Sequence, residues 1–327
     1  MPSPYISPAV LRAHPTGVSW NQIPSKDATP QQNTAELVNI CWAATHEVDA
    51  FVNQNLRASL TSERLLGPDY YLTIPQGAFG PARLHVSRFP VVRVMGGQIS
   101  PAQSFPPQWT TLAASQFQLD YSIIGDVSTD PMINAAGAGP AAVLVAPGYI
   151  SWAGGRRGMR LQVDYISGWR MSGITSQAIA GATSLQVDDV IGWDQLSENT
   201  NQFPLATIFD DDLSEDVQVS TAVATNPIVT SSGVTVQAGP GTLTLRPPGL
   251  QYTHNRMTGV SPTLITCMPD SVIWGTTLLA ASMALTRGAT ASTMPAMPGS
   301  SSSSGSAAKT ALVARAQELL RPYRRPL

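Results

Sequence analysis

Asp216-Val217-Gln218-Val219-Ser220-Thr221-Ala222-Val223 is the longest strand-like run between residues 175 and 260 of a chain whose two ends read as helix. Thr183–Val187, Ala206–Phe209, Val234–Val236 and Thr242–Leu245 have the same β-branched character. Turn residues separate these runs at roughly the eight-to-twelve-residue spacing of small barrels and sandwiches. Composition changes at about Ile174, so residues 175–260 are predicted to be an inserted β module.

On the N-terminal side, Pro2, Pro4, Pro8, Pro15, Pro24 and Pro30 exclude a long helix, and residues 1–33 read as an extended arm. Asn33 or Thr34 is a good helix cap. From there Leu37, Ile40, Cys41, Ala44, Val48, Phe51 and Val52 recur at steps of three and four, which predicts an amphipathic helix running to about Leu60. Tyr70–Ile74, Arg83–Val86, Val91–Met95, Gln116–Ile124 and Met159–Ile166 read as strands bounded by Gly and Pro. With the helix they make the first part of a core, 34–174.

Helical text resumes in 261–290, where Asp270 is placed to cap an apolar helix over Val272–Arg287. A Ser- and Pro-rich linker follows at 291–306. Residues 307–327 hold a last helix, Ala307–Leu320, and a basic end. The predicted fold is α+β: a small α-helical bundle core with β-hairpins and an inserted small β-barrel or sandwich.

Of the 327 residues, 43% are hydrophobic and 12% charged. That charge content is about half the ~25% usual for soluble domains. So few charges suit a chain whose surface is covered by neighbouring subunits. The net charge of −2 argues against tight sequence-independent DNA binding. Cys41 and Cys267 sit in apolar stretches and read as buried thiols rather than a disulfide. The start, Met1-Pro2-Ser3-Pro4, has no basic region followed by an apolar run, so no secretion signal is expected, and no stretch is apolar enough to predict a membrane span.

No constellation assembles a nucleophile or a zinc site, so neither enzyme activity nor a cofactor nor a metal is expected. His46, with Glu47 and Asp49, reads as a solvated helical face. Asp210-Asp211-Asp212, with Glu215-Asp216, lacks the ligand alternation and central Gly of an EF-hand and reads as a turn. Gly154-Gly155-Arg156-Arg157-Gly158 reads as a hairpin turn, with contact to DNA in a channel as the alternative for Arg156 and Arg157. Glycoside hydrolysis would need two facing carboxylates, for which Asp188, Asp189 and Glu215 are the candidates in a sugar-binding or hydrolytic alternative. The last segment is the most unusual. Lys309, Arg315, Arg321, Arg324 and Arg325 face a single acid, Glu318. The helix dipole accounts for Arg321 but not for the pair beyond Pro322. An exposed arm with Tyr323 as its anchor suits docking onto an acidic partner.

Two stretches resemble a family. Ala43-Ala44-Thr45-His46-Glu47-Val48-Asp49-Ala50-Phe51-Val52-Asn53 is followed by Arg88-Phe89-Pro90-Val91-Val92-Arg93-Val94, Tyr165-Ile166-Ser167-Gly168-Trp169 and Leu319-Leu320-Arg321-Pro322-Tyr323-Arg324-Arg325. In order and spacing this is similar to the head-to-tail connector (adaptor, neck) proteins of long-tailed double-stranded DNA bacteriophages. Ala180–Asp189, Ser214–Val219, Thr242–Leu245 and Tyr252-Thr253-His254 are similar to a β module of phage structural proteins.

The resemblance implies a virion protein of the neck, made in the host cytoplasm. Copies would form a homo-oligomeric ring, usually dodecameric, between the portal protein and a stopper, tail-terminator or tail protein. Genomic DNA would pass through with transient, non-specific contact. Arg315, Arg321, Tyr323, Arg324 and Arg325 would meet the portal. Trp42, Trp109, Trp152, Trp169 and Trp193 are candidates for the subunit interface, because aromatic residues dominate interface energetics. A stopper, tail-completion or baseplate protein is the alternative within the virion.

Overall fold

Thr29-Pro30 begins the longest helix in the computed structural model, which describes residues 3–23, 28–66, 72–73, 82–101, 105–120, 142–145, 159–193, 204–210, 213–230, 232–254, 263–287 and 305–324. The fold is α+β. Short α1 (Pro8–Ala13) precedes α2 (Pro30–Val52), and α3 (Asp270–Thr286) and α4 (Gly305–Leu320) close the chain.

The α2 start lies upstream of the expected Asn33 or Thr34 cap. Thr29 accepts from the Gln32 amide and Gln32 reaches back to Thr29, a capping box reinforced by Pro30 at the first helical position. Asn33 has other work: its side-chain amide donates to the carbonyls of Trp20 and Ile23 at 2.7 and 2.8 Å. The helix also stops short of Leu60, at Asn53, whose φ of 57° takes the left-handed turn that asparagine tolerates.

The extended arm expected at 1–33 is a packed part of the core over its described residues. Ser7 caps α1, and Tyr5, Ile6, Val10, Leu11, Val18, Trp20 and Ile23 are buried against α2. Prolines do forbid a long helix there. They do not forbid a short one, and the apolar residues between them outweigh the extended reading. Tyr5 fixes the segment in place: its amide donates to Thr45 Oγ1 at 3.0 Å, and its hydroxyl donates to Asp49 and accepts from the Leu56 amide at 2.8 Å. Asp49 therefore does not belong to the solvated face expected with His46.

The helical core gathers the apolar faces of α1, α2, α3 and α4. Most of α3 is buried, as its lack of a polar face implied. Asp270 is its first residue rather than its cap, with Pro269 in the cap position.

After α2 the chain builds two four-stranded antiparallel sheets. β1 (Ser59–Leu66), β4 (Val91–Pro101), β5 (Thr110–Ala113) and β8 (Met159–Ser167) pair in the order β1-β8-β4-β5. β2 (Leu72–Thr73), β3 (Ala82–His85), β6 (Phe117–Asp120) and β7 (Ala142–Val145) pair in the order β2-β3-β7-β6. β1 falls within the span read as the end of the helix and the link after it.

The β unit is a six-stranded antiparallel sheet. β9 (Met171–Gly173), β10 (Ser184–Val187), β11 (Leu205–Phe209), β12 (Glu215–Ala224), β15 (Gly241–Leu245) and β16 (Leu264–Thr266) run in the order β10-β15-β12-β11-β16-β9. A bridge between Ile174 and Val187, with the Thr175 amide donating to the Gln186 carbonyl, joins the two edges, so the sheet closes into a small barrel. β9 and β16 lie outside the span 175–260, so the barrel reaches past both expected boundaries.

In β12 a bulge between Val219 and Thr221 reverses the alternation. Val217 and Val219 point inward before it and Ala222 and Ala224 after it, which leaves Val223 60% exposed. A small hairpin, β13 (Ile228–Val229) with β14 (Thr235–Val236), leaves the barrel and packs against the first sheet through Val234 and Val236, beside Met95 and Ile166.

Candidate functional site

The basic end is built on α4. Its inner face is small and apolar: Ala316 and Leu320 are fully buried. Leu320 reaches Gly275 of α3, where an added Cβ would come within 2.9 Å of Leu320 Cγ. Gly275 thus sets how closely the two helices approach. A single 3₁₀ turn, Arg321–Tyr323, ends the helix.

Tyr323 is not the exposed anchor expected from the sequence. It is 6% exposed. Its ring meets Trp169 edge-on at 5.3 Å, its hydroxyl shares a 2.6 Å hydrogen bond with Ser271, and its carbonyl accepts from Gln54 Nε2 at 2.9 Å. Burial pushes the phenol pKa up. An aromatic body with a polar tip is suited to such a half-apolar pocket, so Tyr323 belongs to the core and fixes the chain direction for the arginines beside it.

Lys309, Arg315, Arg321 and Arg324 are all exposed on the outer side of this end. Arg315 pairs with Glu318, one turn along the helix. The Arg324 guanidinium lies 5.6 Å from the Phe51 ring centroid, a cation–π contact back to α2. Lys309 and Arg321 meet no carboxylate among the described residues. Arg325 lies outside the described residues.

Two of the five tryptophans expected at a subunit interface are core residues. Trp169 is 3% exposed and packs in the helical core. Trp193 is 1% exposed in the barrel and donates from Nε1 to Ser172 Oγ at 2.8 Å. Trp42 is half-buried on α2 and stacks on His46, and half-buried Trp109 lies beneath the Arg64 guanidinium. These two remain available to a neighbour. Trp152 and the loop arginines Arg156 and Arg157 lie outside the described residues.

Two charged groups were not apparent from the sequence, because folding assembles them from distant positions. At the junction of core and barrel, buried Arg57 donates to the Ser3 carbonyl at 3.2 Å and approaches Asp188 and Asp189 at 3.5 and 3.7 Å. Asp188 also accepts from Ser3 Oγ and the Gly173 amide, and Asp189 from the Ile191 and Gly239 amides. At an end of the barrel, His254 has no exposed surface. Its Nδ1 lies 2.9 Å from Asp210 Oδ2 and its Nε2 2.7 Å from Glu215 Oε1. Burial disfavours the imidazolium, but the hydrogen bonds and charges of Asp210 and Glu215 outweigh it and raise the His254 pKa above its ordinary 6.5.

The Leu213 amide donates to the Asp210 carbonyl, while Asp211 and Asp212 of the acidic run lie outside the described residues. The Asp210 carboxylate serves His254. The three carboxylates considered for sugar hydrolysis are divided between these groups: Asp188 and Asp189 are committed to Arg57 and backbone amides, Glu215 to His254. Among the described residues no cluster of His, Cys, Asp and Glu is arranged to hold a metal ion. Among them, too, no helix is long and apolar enough to cross a membrane. Neither a family model, nor a curated protein, nor a solved structure matches the chain.

Proposed function

We propose that this chain is a structural subunit of a phage neck. Copies of it form a ring that joins the portal to a stopper or tail protein and lets DNA through. The single observation that carries this reading is the basic C-terminal end: exposed cations on a helix whose inner face is locked into the core, on a chain otherwise poor in charge. Cations on a rigid mount lose little entropy on docking, and an acidic partner surface is their natural complement. The resemblance of the ordered motifs to connector proteins supports the portal as that partner.

Half-buried Trp42 and Trp109 are the aromatic residues we assign to contacts between neighbouring copies. A heterologous contact repeated about a rotation axis closes into a ring. The chain's low basic content suits a channel that must release its DNA, with contact transient and non-specific.

Because α4 is part of the core, deleting 307–327 would damage the fold and test nothing. The decisive variant is R321E/R324E/R325E, which reverses charge and leaves Tyr323 in place. We expect it to form the same rings while losing at least ten-fold in portal affinity by pull-down or calorimetry. Unchanged portal binding would overturn portal docking by this end and favour a stopper, tail-completion or baseplate role.

A further inference from the structure

We propose that Asp210, His254 and Glu215 form a proton-controlled latch, closed while His254 is an imidazolium and opened when that proton leaves. Carboxylate oxygens only accept hydrogen bonds, and both ring nitrogens of His254 face one, at 2.9 and 2.7 Å. An imidazole carries N–H groups on both nitrogens only in its protonated form. The neutral ring keeps one donor, so its bare nitrogen would face a carboxylate lone pair inside a buried site. One of the two contacts must then separate.

The latch spans three pieces of chain. Asp210 follows the last residue of β11, Glu215 is the first residue of β12, and His254 lies in the stretch 250–254 that follows β15. That segment is held on its other side by two backbone bonds between Ala178 and His254, at 2.9 and 2.8 Å. Glu215 reinforces the join by accepting from the Gln251 and Tyr252 amides at 2.7 and 3.2 Å. A His254 ring without its second proton therefore loosens the facing ends of β11 and β12 from the segment 250–254.

What the latch controls is visible around it. Leu213 lies two residues before Glu215, Tyr252 two residues before His254, and Ile179 beside Ala178; they are 42%, 42% and 63% exposed. Three large apolar side chains at one end of the barrel are thus held in a fixed arrangement only while the imidazolium ties their backbones together.

Among the described residues, the charged groups bonded to His254 are Asp210, just after β11, and Glu215 of β12; Tyr252 lies on its own segment. The neighbouring stretch 178–182 carries none. Asp211, Asp212 and Arg256 adjoin in sequence and lie outside the described residues. With the folded pKa raised, the latch contributes fully below the ordinary histidine value of 6.5 and is lost as pH rises through the folded value.

The test is a pH titration of the full chain. Nitrogen-15 NMR of labelled histidines reads the protonation of His254, and hydrogen exchange, corrected for its intrinsic pH dependence, reads 213–216 and 250–254. Both His254 nitrogens should be protonated at and below the ordinary histidine value of 6.5, with a midpoint above it. Exchange in the two segments should rise through the same midpoint. D210N should lower the midpoint by ~1 unit or more, and H254Q should abolish the pH dependence of exchange. A His254 midpoint at or below the ordinary 6.5, or exchange without a midpoint, overturns the latch. The titration and D210N decide the matter even if H254Q does not fold. None of these outcomes depends on ring formation or portal binding.

Discussion

Gly168 shows how much a single position can carry. Its φ is +100°, and a Cβ there would lie 2.4 Å from the Arg57 carbonyl oxygen. On either side of it the backbones of 56–58 and 168–169 exchange hydrogen bonds, Trp169 with Leu56 and Ala58 with Trp169, at 2.7 and 2.8 Å. Only glycine satisfies both the torsion and the approach. Gly168→Ala should therefore lose about 1–3 kcal/mol or more in urea unfolding; an unchanged midpoint would show that the strand end is not under this constraint. Residue-scale roles were the least legible from sequence. Tyr323 reads as an exposed anchor because its partners, Trp169, Ser271 and Gln54, are far away in the chain. His254 and its two acids were each visible singly, yet only barrel closure brings them within 3 Å.

Elements were legible where the signal is local. The strands of the barrel announce themselves by β-branched runs between turns, and α2 by its apolar stripe. Their ends were not, because competing residues make equally good caps. Asn33 is a cap type, but here it is the side chain that fastens the N-terminal segment to α2. Asn33→Leu should leave the carbonyls of Trp20 and Ile23 without their donor, at a cost of about 1–3 kcal/mol. The segment before α2 should then become a preferred site of limited proteolysis while the barrel stays protected. Cleavage no faster than in the parent protein would mean that buried Ile6, Leu11 and Ile23 hold the segment unaided. The bulge in β12 is a further case. Val223 reads as inward by strict alternation, and one extra residue turns it to the outside.

At the scale of the molecule, α+β organisation followed from the text of the chain. The fastening of core to barrel did not, since it rests on Arg57 reaching Ser3, Asp188 and Asp189 across long sequence separations. The packed N-terminal segment changes the picture of assembly. The described part of residues 3–23 is already folded into the subunit, so it is not free to order on a neighbour. In the proposed ring, contacts between copies would come from surfaces such as those around Trp42 and Trp109. The most direct measurement of the central claim is electron microscopy of the purified full-length chain, alone and mixed with portal. The neck assignment requires closed rings with an open channel that stack on the portal through the face bearing Arg321 and Arg324. Particles that stay monomeric at every concentration and never associate with portal would contradict it.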